Sequence, residues 1–334
     1  MTAHTISQPN LSLKQILAPV WEDIGKIDGI LRSVANLEYP ILQHGIEAII
    51  TAGGKRLRPA ILLLSAKFHR YELDALLPMA AAIELLHTAT LVHDDTIDQA
   101  LIRRGLPTLN SLIDEGTTVL VGDYLFARSA VLSTLPGVSR ATRIFAESLV
   151  TICEGELEQK FSTHHLTHSI EQYYKRIYCK TAALFAAAGE IGAVLSKAPE
   201  DDIQRLRHYG RQVGMAFQIV DDILDVQATT EELGKPVGGD LRQGTVTLPI
   251  MFYLETADAE GQDMVRRVIE GQDRSDELVG RAVELIRSSE AIERAHQAAQ
   301  TFVNEAKASL EGLPDTPARR ALLDLADFVV RRTY

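Results

Sequence analysis

The run LRHYGRQVGMAFQIVDDILD, residues 206–225, decides the fold class. Its apolar positions Leu206, Tyr209, Val213, Ala216, Val220 and Ile223 follow one another by three or four residues, which places them on one face of an α-helix. The same spacing recurs along most of the chain, whereas sustained period-two alternation is scarce and Val246 to Leu254 is the one ambiguous stretch. An all-α fold is expected. Thr316 followed by Pro317 reads as an N-cap with proline in the first turn, opening a final helix towards Val330. Leu13 to Val34 reads as an amphipathic packing or dimer helix, since it lacks the strongly basic face of a membrane-surface helix.

The quoted run also ends on charge. Asp221, Asp222 and Asp225 repeat the spacing of Asp94, Asp95 and Asp98. On a helix the first and last aspartates of each set share a face, and like charges four residues apart destabilise the helix by a few tenths of a kcal/mol. A single D-D-x-x-D reads most simply as a solvated acidic face. Here Leu91 and Val92 precede the first set, and Phe217, Ile219, Val220, Ile223 and Leu224 surround the second. Carboxylates set into apolar helices need partners, because an unpaired buried charge costs several kcal/mol. A hard cation meets that need, and Mg²⁺ binds through one or two carboxylates together with waters and substrate phosphates.

Basic residues gather in matching places. Gly53-Gly54-Lys55-Arg56-Leu57-Arg58-Pro59 is a glycine-led basic turn, Arg103-Arg104-Gly105 follows Asp98, and Lys180-Thr181 makes a third group. Each alone is an ordinary surface feature; together they offer counter-charge for two diphosphates. The net charge of −11 argues against nucleic acid as a partner without forbidding an anionic substrate. Two cysteines in 334 residues make no disulfide framework, so a reducing cytoplasm is expected. No apolar run in the sequence approaches the eighteen or so residues of a membrane span, the longest candidate being Leu76 to Ile83, and the first twenty residues do not resemble a signal peptide. The motifs extend from Gly53 to Pro249 without a clear linker, so residues 1–334 read as one domain, with 1–12 a flexible tail. His164, His165 and His168 have spacing that a transition metal could use, but they lie in a polar stretch with no nearby cysteine.

In this order, the basic turn, Leu91-Val92-His93-Asp94-Asp95-Thr96-Ile97-Asp98, Arg103-Arg104-Gly105-Leu106-Pro107-Thr108, Lys180-Thr181-Ala182, the run from Gly214 to Asp225, and Gly234-Lys235-Pro236 with Asp240-Leu241 resemble the trans-isoprenyl diphosphate synthases, the polyprenyl synthetase family. The resemblance implies an isoprenoid synthase-type helical bundle around a deep central cavity, with the aspartate sets facing each other at its mouth. It implies catalytic roles for Asp94, Asp95, Asp98, Asp221, Asp222, Asp225 and Lys180, with Asp94, Asp98 and Asp221 ligating Mg²⁺. Isopentenyl diphosphate would be held by Lys55, Arg58, His87 and Arg104. The allylic diphosphate, farnesyl or geranylgeranyl diphosphate by expectation, would be held by Arg103, Lys180, Thr181, Gln218 and Lys235. The charged loop from Gly234 to Gly244 would close over the site and exclude water. One departure is Thr245, where the family commonly has lysine; Arg242 or Lys235 would have to compensate.

The resemblance also bears on product length, because bulky side chains just before the first aspartate set act as a floor in the family. Here Ala89 and Thr90 are small, Ala89 lying roughly 7.5 Å upstream of Asp94 at about 1.5 Å per residue. Leu86, another turn away, would set a deeper limit. A long chain of about thirty to fifty carbons is expected, with a short-chain synthase or a subunit of a heteromer as alternatives. A homodimer, with peripheral membrane contact for product release, follows from the same resemblance.

Overall fold

A computed structural model describes residues 11–51, 54–103, 105–166, 169–227 and 237–332. The described chain is helical apart from one two-stranded hairpin. In chain order the helices are α1 (Leu13–Ile16), α2 (Trp21–Val34), α3 (Pro40–Thr51), α4 (Leu57–Ala66), α5 (Leu73–Ile97), α6 (Leu109–Leu112), α7 (Glu115–Thr134), α8 (Ser139–Ser162), α9 (Ile170–Ile177), α10 (Ala183–Leu195) and α11 (Glu200–Gln227). They continue as α12 (Gly239–Gln243), α13 (Leu248–Thr256), α14 (Ala259–Ile269), α15 (Asp276–Arg287), α16 (Ala291–Ser309) and α17 (Pro317–Arg331). The hairpin pairs β1 (Ile102–Arg103) with β2 (Leu106–Pro107) across Gly105 at φ 75°.

The stripe that predicts the long helix is buried throughout: Leu206, Tyr209, Val213, Ala216, Val220 and Ile223 are each at most 1% exposed. α11 serves two apolar cores. Its N-terminal half packs on α10 and joins a core cluster that also takes in α4 and α5, and its C-terminal half joins a second cluster built from α9 and from α12 to α16. Contact between α10 and α11 is unusually close because glycines line it. A Cβ on Gly210 would fall 2.2 Å from the Phe185 carbonyl oxygen, and one on Gly214 would fall 2.6 Å from the Ala182 Cα. Backbone meets backbone here, so no side chain can be added without parting the helices.

Between α9 and α10 the chain does not break but widens. Tyr178–Ala182 forms a π-helical turn, so that helix runs through from Ile170 to Leu195. Such single turns often mark functional sites, because they insert one residue and redirect side chains. This one carries Lys180 and Thr181.

Other expectations divide. Thr316 accepts a hydrogen bond from the Arg319 N–H and opens α17 with Pro317 in the first turn. Val246 to Leu254 resolves as an extended lead-in followed by α13, where Pro249 sits within the first turn and costs no helical hydrogen bond. Leu13 to Val34 is not one helix: Pro19 places a 3₁₀ turn, Ala18–Val20, between α1 and α2. The segment Gly238 to Gly244 is a short helix capped at both ends by left-handed glycines rather than an open loop. Helices Leu73–Ile97 and Ile170–Leu195 do reach the length and hydropathy of a membrane span, which a count of uninterrupted apolar residues misses; both are mostly buried inside the fold. Cys153 is exposed and Cys179 buried, both as free thiols.

Candidate active site

The first aspartate set closes α5. Asp94 is half-buried, Asp95 is 7% exposed and Asp98 caps the helix in the open. Asp95 accepts a 2.7 Å hydrogen bond from the Arg103 Nε, so the hairpin's arginine is committed to the motif itself. Burial pushes the Asp94 carboxyl up to about 6, against the pull of the Lys180 ammonium and Arg103 and with a further push from Glu156 and Asp98. Lys180 in turn pairs with Glu156 at 3.2 Å; burial would lower its pKa, but Glu156 and Asp94 outweigh that and raise it.

The second set lies on the C-terminal half of α11. Burial raises the Asp222 carboxyl above its ordinary range, although two donors oppose the shift. The Gln218 Nε2 donates to one of its oxygens and the Tyr173 hydroxyl to the other, both at 2.8 Å. The Thr181 hydroxyl donates to the Gln218 Oε1 at 2.6 Å, which fixes the amide's orientation. Asp225 is buried and accepts from the Asp240 N–H at 3.0 Å, while its carbonyl accepts from Gly238. Asp221 is half-buried and pairs with Arg332 at 2.6 Å; that guanidinium also lies 3.8 Å from the Phe217 ring centroid.

These contacts place the π-helical turn between the two acidic sets. Lys180 pairs with Glu156 and interacts electrostatically with Asp94, and the adjacent Thr181 is linked through Gln218 to Asp222. The close approach at Gly214 is what lets Thr181 reach Gln218 one turn later. Gly155 does the same for α8, since a Cβ there would lie 2.4 Å from the Cys179 Cβ; its neighbour Glu156 thereby meets Lys180.

The basic turn lies at the start of α4. Lys55 sits 5.7 Å from the Phe328 ring and Arg58 stacks 4.5 Å from the Phe185 ring, which itself neighbours Phe217. His87 is half-buried on α5. On the same helix Leu86 and Ala89 are enclosed, and Thr90 is half-buried with its hydroxyl on the His87 carbonyl. Gly53, Arg104, His168, Gly234, Lys235 and Pro236 lie outside the described residues. Arg242, one of two residues suggested to compensate for Thr245, is paired with Asp276 at 2.8 Å. His164 bonds the Ile269 carbonyl and Arg274.

Among the described residues no three histidines, cysteines or carboxylates converge as a preformed metal cage. The donor set still suits Mg²⁺. It offers hard carboxylate oxygens, one of them on a carboxyl raised to about 6 by burial, and Mg²⁺ completes its shell with water and phosphate oxygens rather than with a closed protein cage.

Sequence reasoning missed Glu156, Tyr173 and Arg332. Glu156 stands between Glu154 and Glu158 on α8, and only Gly155 beside it signals a close approach. Nothing in the sequence marks Tyr173 or Arg332.

Residues 39–286 match the family model for polyprenyl synthetase. Heptaprenyl diphosphate synthase component 2 of Geobacillus stearothermophilus is 38% identical over 324 residues, covering 97% of this chain and 100% of that protein. Among solved structures, a polyprenyl synthase from Caulobacter crescentus complexed with calcium and isoprenyl diphosphate superposes with a TM-score of 0.93 at 35% identity, covering 98% of this chain and 100% of the other. A decaprenyl diphosphate synthase from Rhodobacter capsulatus gives 0.89 at 39% identity, over 97% and 100% of the two chains. With full-length similarity of this order, the chain belongs to the polyprenyl synthetase family.

Proposed function

We propose that the protein joins isopentenyl diphosphate to an allylic diphosphate and repeats the addition to give a long-chain, all-trans polyprenyl diphosphate. The observation that carries this reading is the Lys180-Thr181 turn: Lys180 pairs with Glu156 and feels the charge of Asp94, and Thr181 is linked through Gln218 to Asp222. The relatives named for long products favour the range C35 to C50.

Asp94, Asp98 and Asp221 would hold Mg²⁺, which supplies positive charge to the departing diphosphate. Lys180, Thr181, Gln218 and Arg103, with Lys235, bind that diphosphate and neutralise the charge that develops as the C–O bond breaks. Lys55, Arg58 and His87, with Arg104, hold isopentenyl diphosphate so that its double bond lies against the allylic carbon. The new C–C bond forms there, and the proton lost from the adduct passes to the released pyrophosphate, so no protein base is required. The segment ending at Gly244 keeps water from the cation. Leu86, Ala89 and Thr90 limit how far the chain grows.

We read residues 1–334 as one domain, because α11 runs through both cores. A second copy is the expected partner. Large apolar side chains stand exposed along α7 (Leu120, Val131) and at its C-cap (Leu135), and along α8 (Val150, Leu157, Phe161); their spacing puts each set on one face of its helix. Free cysteines fit a cytoplasmic setting.

The test is to incubate the purified chain with Mg²⁺, isopentenyl diphosphate and farnesyl diphosphate and to read product length by mass spectrometry. Products of about thirty carbons or more, absent in Asp94→Ala and Asp221→Ala, are expected. Products that stop at fifteen or twenty carbons overturn the long-chain reading, and no product from any primer overturns a self-sufficient enzyme.

A further inference from the structure

Arg56 stands between Lys55 and Arg58 in the basic turn that offers counter-charge to diphosphates. The structure turns it inward. Its backbone is left-handed, with φ 49°, at the N-cap of α4, a conformation that a bulky side chain adopts only where its surroundings enforce it. The surroundings are specific. The Nη1 donates to the Glu84 Oε1 at 2.8 Å, the Nε to the Asp28 Oδ1 at 3.1 Å and the Nη2 to the Ile50 carbonyl oxygen at 2.7 Å. Those acceptors belong to α5, α2 and the last turn of α3. Only 14% of the Arg56 side chain and 5% of the Glu84 side chain is exposed. A guanidinium presents its donors in a rigid planar fork, so three partners on three helices fix the turn in position and in rotation. Glu84 lies one helical turn before His87 on the helix that also carries Asp94.

We propose that Arg56 is a positioning residue that binds no substrate: with Glu84 and Asp28 it forms a strut that holds the Lys55–Arg58 turn against α5 and sets the spacing between that turn and His87. The inference rests on the proposed assignment of Lys55, Arg58 and His87 to isopentenyl diphosphate. It requires that Glu84, enclosed and out of reach of substrate, share the phenotype of Arg56. It also requires that a lysine at position 56 fail, since one ammonium keeps the charge but cannot reproduce a three-way fork.

The experiment compares wild type with Arg56→Lys, Glu84→Gln and Asp28→Asn. The two substrates are varied separately in steady-state assays, isopentenyl diphosphate binding is titrated by calorimetry, and melting curves establish that each variant is folded. Arg56→Lys and Glu84→Gln should each weaken isopentenyl diphosphate about tenfold, in KM and in the isotherm, while kcat and the KM for farnesyl diphosphate stay within about twofold. Asp28→Asn should shift the same constant less, because that carboxylate is 40% exposed. If Glu84→Gln leaves isopentenyl diphosphate binding unchanged, or if Arg56→Lys retains it, Arg56 is a direct ligand and the strut is wrong. Equal losses on both substrates and in kcat also overturn it. If Glu84→Gln does not fold, Arg56→Lys and Asp28→Asn decide. Should wild type turn over nothing, the proposed function fails, and the isotherms of the same variants still decide the strut.

Discussion

At the scale of single residues, the site keeps charges where the unoccupied protein is least comfortable with them. Asp94 titrates near 6 when folded and near 4 when unfolded. Between those values the folded chain holds more protons, so its stability falls as pH rises from about 4 to 6, and the deficit is complete above about pH 6. Two pH units bound that deficit at about 3 kcal/mol. Asp94→Asn should therefore raise the melting temperature of the metal-free protein at pH 7.5 by a few degrees and flatten its dependence between about pH 4 and 6, while prenyl transfer is lost. A lower melting temperature in EDTA would contradict this. Thr181→Val removes the donor that orients Gln218, and should raise the KM for the allylic diphosphate several-fold, with Thr181→Ser restoring it. The sequence marked the two aspartate sets, because repeated like charges inside apolar helices demand an explanation, and Lys180-Thr181 only as one of three basic groups. Glu156, Tyr173, Arg332 and the inward turn of Arg56 were not marked, because each acquires its partner only when distant helices meet.

Among elements, the helical period identified the class and the long helix at 206–225, because side chains spaced by three and four residues must face one core, and the Thr316-Pro317 cap identified the last helix. The period failed where backbone hydrogen bonding changes without a change in burial. The break at Pro19 is readable from proline chemistry, but the π-helical turn at Tyr178–Ala182 leaves an apolar pattern that an α-helix would also give. What packs against that turn is testable. Gly214→Ala introduces a Cβ 2.6 Å from the Ala182 Cα, where backbone cannot step aside. Overpacking of this kind costs about 1–3 kcal/mol. The variant should melt lower and bind the allylic diphosphate more weakly than isopentenyl diphosphate; an unchanged melting curve would show that α10 and α11 part freely.

For the whole molecule, the all-α architecture followed from the sequence, whereas the outward faces of α7 and α8 did not draw attention there, since single exposed apolar residues are ordinary. Only the fold shows that Leu157 and Phe161, 60% and 81% exposed, stand outside the core. Leu157→Glu combined with Phe161→Glu should give monomers in light scattering after gel filtration where wild type gives the proposed dimer. A double variant with the mass of wild type would place the contact elsewhere. The long helices Leu73–Ile97 and Ile170–Leu195 are apolar for a different reason: most of each lies in the interior.

The widened turn at Tyr178–Ala182 also resets the angular phase of the helix it interrupts. One added residue advances the side chains by roughly 100° relative to an uninterrupted helix at 3.6 residues per turn. Positions counted from Tyr173 and positions counted from Phe185 therefore belong to two registers on a single rod. In a substitution scan of residues 170–195, tolerance should follow one helical wave up to Ile177 and a displaced one from Ala183, with the slip falling at Lys180 and Thr181.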